Sequence, residues 1–166
     1  MKFAAILSTV LAASGAAMSS TVAELVRRQT ACSPGSTVPN PVVLTVNAGV
    51  SVSVSAESHA ANLQQLAVSS GHAGSNFVVF QGRGEDVPMP IISGGTGTGF
   101  SLPAQSTAFQ LTLVFAFSTN NGNTFIVPTV RCPVVTNAGT ITINTVTSED
   151  SSDNDDNDTI ATVVFS

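Results

Sequence analysis

Six carboxylate side chains lie close together near the end of a chain that otherwise carries few charges. They are Glu149, Asp150, Asp153, Asp155, Asp156 and Asp158, in a sequence with only ten acidic and five basic residues among 166. At an effective dielectric constant of about 20, two like charges about 4 Å apart repel by about 4 kcal/mol. A folded segment with this many carboxylates therefore needs bound cations or full exposure to water.

Calcium is the cation that suits this acidic segment, because it takes about six to eight oxygen ligands from carboxylates, amides and backbone carbonyls. Two divalent ions would neutralise the charges of four of the carboxylates, those of Glu149, Asp153, Asp155 and Asp158. The segment lacks the turn glycine and the final glutamate of an EF-hand loop. A short acidic run is also typical of a merely solvated loop, and the residues alone leave that alternative open.

The elements that would position this segment are β-strands, because apolar and polar residues alternate with a period of two. Residues 50–55 alternate valine with serine, and the longer run 109–117 has apolar residues at every odd position. Val114 and Ala116 add apolar side chains on its other face, which predicts burial on both sides and favours a homo-oligomer interface. Further strands are predicted at 42–46, 63–68, 77–80, 125–130, 140–146 and 159–165.

Many short strands, no long helical period and abundant Thr and Val predict an all-β fold, an antiparallel β-sandwich. Helical spacing over 56–68 is weak, and we expect strand or loop there. Residues 120–123, Asn-Asn-Gly-Asn, predict a hairpin turn, and the prolines and glycines of 88–99 predict an exposed, irregular connection. The acidic segment lies between the strands at 140–146 and 159–165, so we expect it to be a loop at one end of the sandwich.

The first residues have the layout of a secretory signal peptide, with Lys2 before an apolar run that is too short for a membrane span. We expect a signal peptide at 1–18 and a propeptide at 19–28. The propeptide would end at Arg27-Arg28, a dibasic site of the kind used in fungal secretion. The mature chain, 29–166, would then be a single secreted, extracellular domain.

Two cysteines, Cys32 and Cys132, are an even pair in an oxidising compartment, which predicts a disulfide bond between them. The mature chain would keep only Arg83 and Arg131 as basic residues. Two cations are too few to recognise a polyanion, so we expect neither nucleic-acid binding nor attraction to anionic lipid. Membrane insertion is not expected either, because no later apolar stretch reaches the length of a membrane span.

Catalytic arrangements are not visible in the sequence. His59 and His72 stand alone in polar segments, and no spacing places a serine and an aspartate beside either as a triad. Glycosidase acids need one carboxyl group in an apolar setting, whereas the acids here share one polar segment. We therefore expect a protein that is not an enzyme.

The acidic segment resembles the signature of the small bacterial calcium-dependent lectins that bind fucose and mannose through two adjacent calcium ions. The matching residues are Ser148-Glu149-Asp150, Asp153-Asn154-Asp155 and Asn157-Asp158, without a gap and followed by an apolar, β-rich end. The family has a tyrosine where this chain has Asp156 and a glycine where it has Ser151. Upstream, 50–56 followed by Glu57-Ser58-His59 is similar to the family's early strand and to the short loop that touches the sugar.

The resemblance implies a sandwich of about nine antiparallel strands, whose two calcium ions coordinate sugar hydroxyls directly. The implied ligands of one ion are Glu149, Asp153, Asp155 and Asp158. Those of the other ion are Asp155, Asn157, Asp158 and a backbone carbonyl near Glu57. Asp150 would hydrogen-bond the sugar, and Ser58 and His59 would lie in the specificity loop. The implied carbohydrate site thus comprises Asp150, Asp153, Asp155, Asn157, Asp158, Ser58 and His59.

Together, these observations predict a secreted calcium-dependent carbohydrate-binding protein of the fucose or mannose type, with glycans as its partners. One alternative is a secreted structural or cell-surface protein that calcium stabilises and that binds no sugar. A secreted hydrolase is a third hypothesis. Asn157-Asp158-Thr159 is also an N-glycosylation sequon, and a glycan on Asn157 would remove one of the implied ligands.

Overall fold

The computed structural model describes residues 32–71, 77–150 and 157–166. These ranges contain eleven β-strands, all paired antiparallel, and no helix. The strands are β1 Thr37–Val38, β2 Val42–Val46, β3 Val52–Ser70, β4 Phe77–Pro88, β5 Ile91–Ser93, β6 Gly99–Leu102, β7 Phe109–Ser118, β8 Thr129–Arg131, β9 Val134–Ala138, β10 Ile141–Glu149 and β11 Thr159–Phe165. Within the same ranges, nothing forms a helix that could cross a membrane. The signal peptide, the propeptide and the predicted start of the mature chain lie outside the described residues.

The longest strand, β3, connects two groups of strands. Its first half pairs with β11 and β6, its second half pairs with β7, and β4 pairs with parts of both halves. Both groups turn their buried faces to one core, in which Val54 and Ala56 from the first half of β3 join Leu66 and Val68 from the second half. This arrangement confirms the predicted antiparallel β-sandwich, with eleven described strands where we expected about nine.

The side-chain order of β3 explains why 56–68 is strand and not helix. Even-numbered residues from Val52 to Ala60 are buried, while the odd-numbered residues between them are exposed or half-buried. This period of two continues at Gln64, Leu66 and Val68, all fully buried. The pairing of β3 with β4 shifts register between Ser58 and Gln64, where β3 passes from one group of partners to the other.

Strand β7 has the predicted alternation, but only its inner face is covered. Its buried apolar residues are Phe109, Leu111, Leu113, Phe115 and Phe117. On the other face, Val114 is 42% exposed and Ala116 is half-buried. The expected burial of both faces is therefore not found within the described chain, because no element packs on this side of Val114. The homo-oligomer interface at this face stays a prediction.

Two connecting segments differ from what the sequence predicted. In place of a strand over 125–130, Ile126 forms an isolated bridge with Phe117 and the short strand β8 follows. That bridge closes the hairpin turn predicted at 120–123. The connection at 88–99 is exposed for the most part, but it contains β5, and Met89 is fully buried. Met89 enters the core because its backbone N–H donates to the carbonyl of Ala56 on β3, at 2.8 Å.

Cys32 and Cys132 form the predicted disulfide bond, with 5.9 Å between their Cα atoms and a sequence separation of 100. The bond lies beside the pairing of β1 with β8, in which Thr37 is opposite Arg131. Chain-entropy models assign about 4.7 kcal/mol of stabilisation to a closed loop of about 100 residues. The bond thus holds the beginning of the described chain to β8, which in turn pairs with β10.

Strands β10, β11 and β3 lie side by side and position the acidic segment. Ser148 on β10 is opposite Thr159 on β11, and Thr159 is opposite Ser58 on β3. The chain leaves the sheet after Glu149 and returns to it at Thr159. The acidic segment therefore joins two paired strands at one end of the sandwich, as predicted.

Candidate metal centre

Three buried hydroxyl side chains line up across the sheet where the acidic segment begins and ends. Ser148, Thr159 and Ser58 lie opposite one another on β10, β11 and β3, and all three are fully buried. Two residues further into the sheet, the corresponding positions are apolar and belong to the core. Because residues i and i+2 of a strand share a face, the buried face changes from apolar to polar in one step.

Three carboxylates cluster just beyond this row of hydroxyls. Glu149, Asp150 and Asp158 are each only 3% exposed, and one oxygen from each lies within 4.8 Å of the others. The backbone N–H of Asp150 donates to Oδ2 of Asp158, which ties the two ends of the acidic segment together. Ionised carboxylates at this spacing repel one another, and a bound cation would relieve the repulsion. The structure thus brings together three of the predicted site residues.

Two side-chain amides from β3 reach the same cluster. Nδ2 of Asn62 donates to Oδ2 of Asp150 at 2.9 Å, and Nε2 of Gln64 donates to the same oxygen at 3.0 Å. The hydroxyl of Thr159 in turn donates to Oε1 of Gln64 at 3.1 Å. Neither amide was predicted as a site residue from the sequence, although Gln64 interrupts the series of buried apolar residues that includes Leu66 and Val68 in β3. A polar residue at a position of the strand that faces the core was the sequence signal that could have identified Gln64.

Oxygen atoms without a hydrogen-bond partner lie at or next to the cluster. Oδ1 of Asn157 is buried and has no hydrogen-bond partner among the described residues, and neither do the hydroxyls of Ser58 and Ser148. A buried oxygen without a partner is costly unless something else binds it. Calcium prefers carboxylate and amide oxygens as ligands, so the buried amide oxygen beside Asp158, together with the three carboxylates, fits a calcium site.

The residues of the predicted specificity loop, Glu57, Ser58 and His59, lie within strand β3 and not in a loop, because this part of the chain pairs with both β4 and β11. They lie beside the end of the acidic segment. The backbone N–H of His59 donates to the carbonyl of Asp158 at 3.0 Å. Nδ1 of the His59 ring is 3.1 Å from Oδ1 of Asp86, and Nε2 is 3.8 Å from Oε2 of Glu57. The side chain of Glu57 is thus directed to His59, and among the described residues it is not part of the carboxylate cluster. Asp86, which lies in the irregularly paired end of β4, was also not predicted from the sequence.

Several predicted site residues cannot be placed in this geometry. Asp153 and Asp155 lie outside the described residues, as do Asp156 and His72. The assignment of Asp153 and Asp155 as calcium ligands stays a prediction, and so does the expectation that His72 has no catalytic role. The described part of the site therefore consists of the two ends of the acidic segment and the part of β3 that faces them.

A comparison with known families identifies one match that covers most of the chain. The model of the family described as fucose-binding lectin II (PA-IIL) matches residues 44–166. This range includes every strand from β3 to β11, and it contains the whole acidic segment. No curated protein sequence matches the chain.

Solved structures of bacterial lectins resemble this fold. The C-terminal domain of the lectin BC2L-C from Burkholderia cenocepacia has a TM-score of 0.51 at 15% identity, over 78% of this chain and 97% of that chain. A high-affinity mannose-binding lectin from Ralstonia solanacearum has a TM-score of 0.49 at 25% identity, over 74% and 93%. The Chromobacterium violaceum lectin CV2L, in complex with α-methyl-fucoside, has a TM-score of 0.48 at 17% identity, over 74% and 93%. The Burkholderia domain shares the fold of this chain.

Proposed function

This chain belongs to the fucose-binding lectin II (PA-IIL) family, and from that premise we propose that it binds fucose- or mannose-type sugars through two calcium ions. The family consists of carbohydrate-binding proteins, so the chain is a lectin and not an enzyme. The family assignment supports glycans as the partners. Calcium dependence, the number of ions and the type of sugar are the proposed parts of this function.

One observation carries the calcium part of the proposal, namely the cluster of Glu149, Asp150 and Asp158. Their oxygens lie within 4.8 Å of one another at 3% exposure, so water screens their repulsion poorly. Oδ1 of Asn157 adds a buried oxygen that has no hydrogen-bond partner in the part of the chain that the structure describes. Calcium, when bound, would supply the compensating charge and coordination positions that vicinal sugar hydroxyls can take.

The proposed roles follow the acidic segment residue by residue. One ion would be held by Glu149, Asp153, Asp155 and Asp158, and the other by Asp155, Asn157 and Asp158 with a backbone carbonyl near Glu57. The positions of Glu149 and Asp158 in one cluster support the first set. The resemblance and the charge of the segment support Asp153 and Asp155.

Asp150 and His59 would contact the sugar, and Ser58, which the resemblance assigns to the same specificity segment, is fully buried on β3. A carboxylate is an acceptor only, so Asp150 would take hydrogen bonds from sugar hydroxyls. The bond from the backbone N–H of His59 on β3 to the carbonyl of Asp158 supports a role for this part of β3 beside the acidic segment. The Asp86 carboxylate would orient the His59 ring at the edge of the sugar site.

We also propose that the protein is secreted and forms homo-oligomers. A disulfide bond persists in oxidising compartments, so the bond between Cys32 and Cys132 supports export by the signal peptide at 1–18 and cleavage after 28. The outward face of β2 and β7, where Val43 and Val114 are exposed on the same side, would form the contact between copies.

Isothermal titration calorimetry tests the proposal in two steps. Calcium is first titrated into chelator-treated protein, and methyl α-fucoside or methyl α-mannoside is then titrated into the calcium-loaded protein. We expect two calcium ions per chain and sugar binding that EDTA abolishes. Calcium binding without binding of either sugar would contradict the proposal and favour the calcium-stabilised structural protein. Sugar binding that persists in EDTA would contradict the role of calcium.

A further inference from the structure

A pair of amide side chains on β3 links the interior of the sandwich to the carboxylate cluster. Asn62 and Gln64 lie on the same side of the strand, because side chains two residues apart share a face. Both donate to Oδ2 of Asp150, from 88 and 86 residues away in sequence. We propose that Asn62 and Gln64 are positioning residues that hold the Asp150 carboxylate for sugar binding. This inference rests on the proposed lectin function.

The orientation of the Gln64 amide is determined on both sides. Its Nε2 donates to Asp150, and its Oε1 accepts from the hydroxyl of Thr159. A flipped amide would place Oε1 against the carboxylate of Asp150, where two acceptors repel each other. Thr159 is itself a fully buried member of the hydroxyl row on β11, which fixes its side chain in the sheet. The donor is therefore held by two rigid strands before any ligand binds.

Burial of Gln64 also points to a role beyond packing. Gln64 is 0% exposed, in a series of buried positions of β3 that Leu66 and Val68 fill with apolar side chains. An apolar residue would fill the same position without the cost of burying an amide. The hydrogen bonds to Asp150 and Thr159 offset that cost, so the amide serves the carboxylate and not the core.

The main chain of Asp150 is held as well, because its N–H donates to Oδ2 of Asp158. The side chain and the backbone of Asp150 are thus fixed by separate groups, one set from β3 and one from the acidic segment. A carboxylate held in this way loses little rotamer freedom when a sugar hydroxyl binds. Removal of the amide donors should therefore weaken sugar binding more than it weakens calcium binding.

The test uses the full-length mature protein with Gln64→Met and, separately, Asn62→Ala. Methionine is similar to glutamine in size and removes the donor without adding charge. The matched control is Gln65→Met, because Gln65 is half-buried and points to the opposite face of β3.

Calorimetry measures the Kd of calcium without sugar and the Kd of methyl α-fucoside at saturating calcium. We expect fucoside binding to weaken about tenfold or more in both variants, since each loses a hydrogen bond to a charged acceptor. Calcium affinity should change less than about threefold, and Gln65→Met should match wild type.

A double-mutant cycle shows whether the amides act through Asp150. In an Asp150→Ala background, Asn62→Ala should change fucoside affinity by less than about twofold, because the group that it positions is gone. In one outcome, the wild type binds fucoside and folded Gln64→Met and Asn62→Ala bind it with the same affinity. That result would overturn this inference and leave the proposed function intact. If Gln64→Met does not fold, Asn62→Ala at its half-buried position decides the question. If the wild type binds no sugar, the proposed function and this inference both fail.

Discussion

Replacing Asp158 by asparagine should stabilise the calcium-free protein and remove most of its response to calcium. Asp158 is 3% exposed, and one of its oxygens lies within 4.8 Å of oxygens of Glu149 and Asp150. At this spacing and an effective dielectric constant of about 20, each ionised pair repels by about 3 kcal/mol. The substitution removes two such pairs. It also weakens the hydrogen bond from the Asp150 backbone N–H, which costs about 1 kcal/mol.

The relief of repulsion exceeds this loss by up to about 5 kcal/mol. At about 4 °C per kcal/mol for a domain of this size, Tm in EDTA should rise by up to about 20 °C. Wild-type protein should gain about 2.7 kcal/mol when calcium is present at about 100 times its Kd. That gain corresponds to about 10 °C, and Asp158→Asn should lose most of it. Differential scanning calorimetry at pH 7, in EDTA and in calcium, measures both quantities.

Glu85→Gln is the matched control, because Glu85 is exposed and lies outside the carboxylate cluster. It removes the same charge and should leave Tm in both conditions within about 2 °C of wild type. A lower Tm of Asp158→Asn in EDTA, together with an undiminished calcium shift, would refute the proposal that Asp158 holds calcium beside Glu149.

Three further predictions concern the scaffold. Replacing Cys32 and Cys132 together by serine should lower the free energy of unfolding by about 2–5 kcal/mol in urea titrations followed by circular dichroism, and an unchanged value would contradict a stabilising role for the bond. Gly94→Ala would place a Cβ 1.8 Å from a backbone oxygen of β4 and should prevent folding or cost more than about 4 kcal/mol. Gly97→Ala, with φ of +88° and open space around it, should cost only about 1–2 kcal/mol, and equal effects of the two substitutions would contradict this account. Val114→Glu should dissociate the proposed oligomer in sedimentation velocity, and an unchanged mass for an oligomeric wild type would exclude this face.

Alternation of side chains predicted the strands well where one face packs on the core. β2 and β11 have the predicted bounds, because each places buried apolar residues at every second position. The prediction was wrong at 125–130, where Ile126 and Val127 are apolar but exposed. Pattern alone does not show whether an apolar run has a neighbouring strand to pack on. The burial of Met89 was missed for the same kind of reason, since it depends on a contact with a distant strand.

The sequence predicted those site residues that lie close together in the chain, and it did not predict those that come from a distant strand. Glu149, Asp150 and Asp158 lie within ten residues of one another, so the sequence alone predicted that they belong to one segment. The structure brings their carboxylates together. Asn62 and Gln64 could not be found in this way, because their bonds to Asp150 span more than 80 residues. Such a contact depends on the pairing of β3 with β11 and of β11 with β10, which sequence periodicity does not specify.

A glycan array read in calcium and again in chelator tests the central claim most directly. The mature protein, made in a host without N-glycosylation so that Asn157 stays unmodified, should bind fucose- or mannose-terminated glycans in calcium and none in EDTA. Binding that is retained in EDTA, or no glycan bound in calcium by protein that calcium stabilises, would contradict the account.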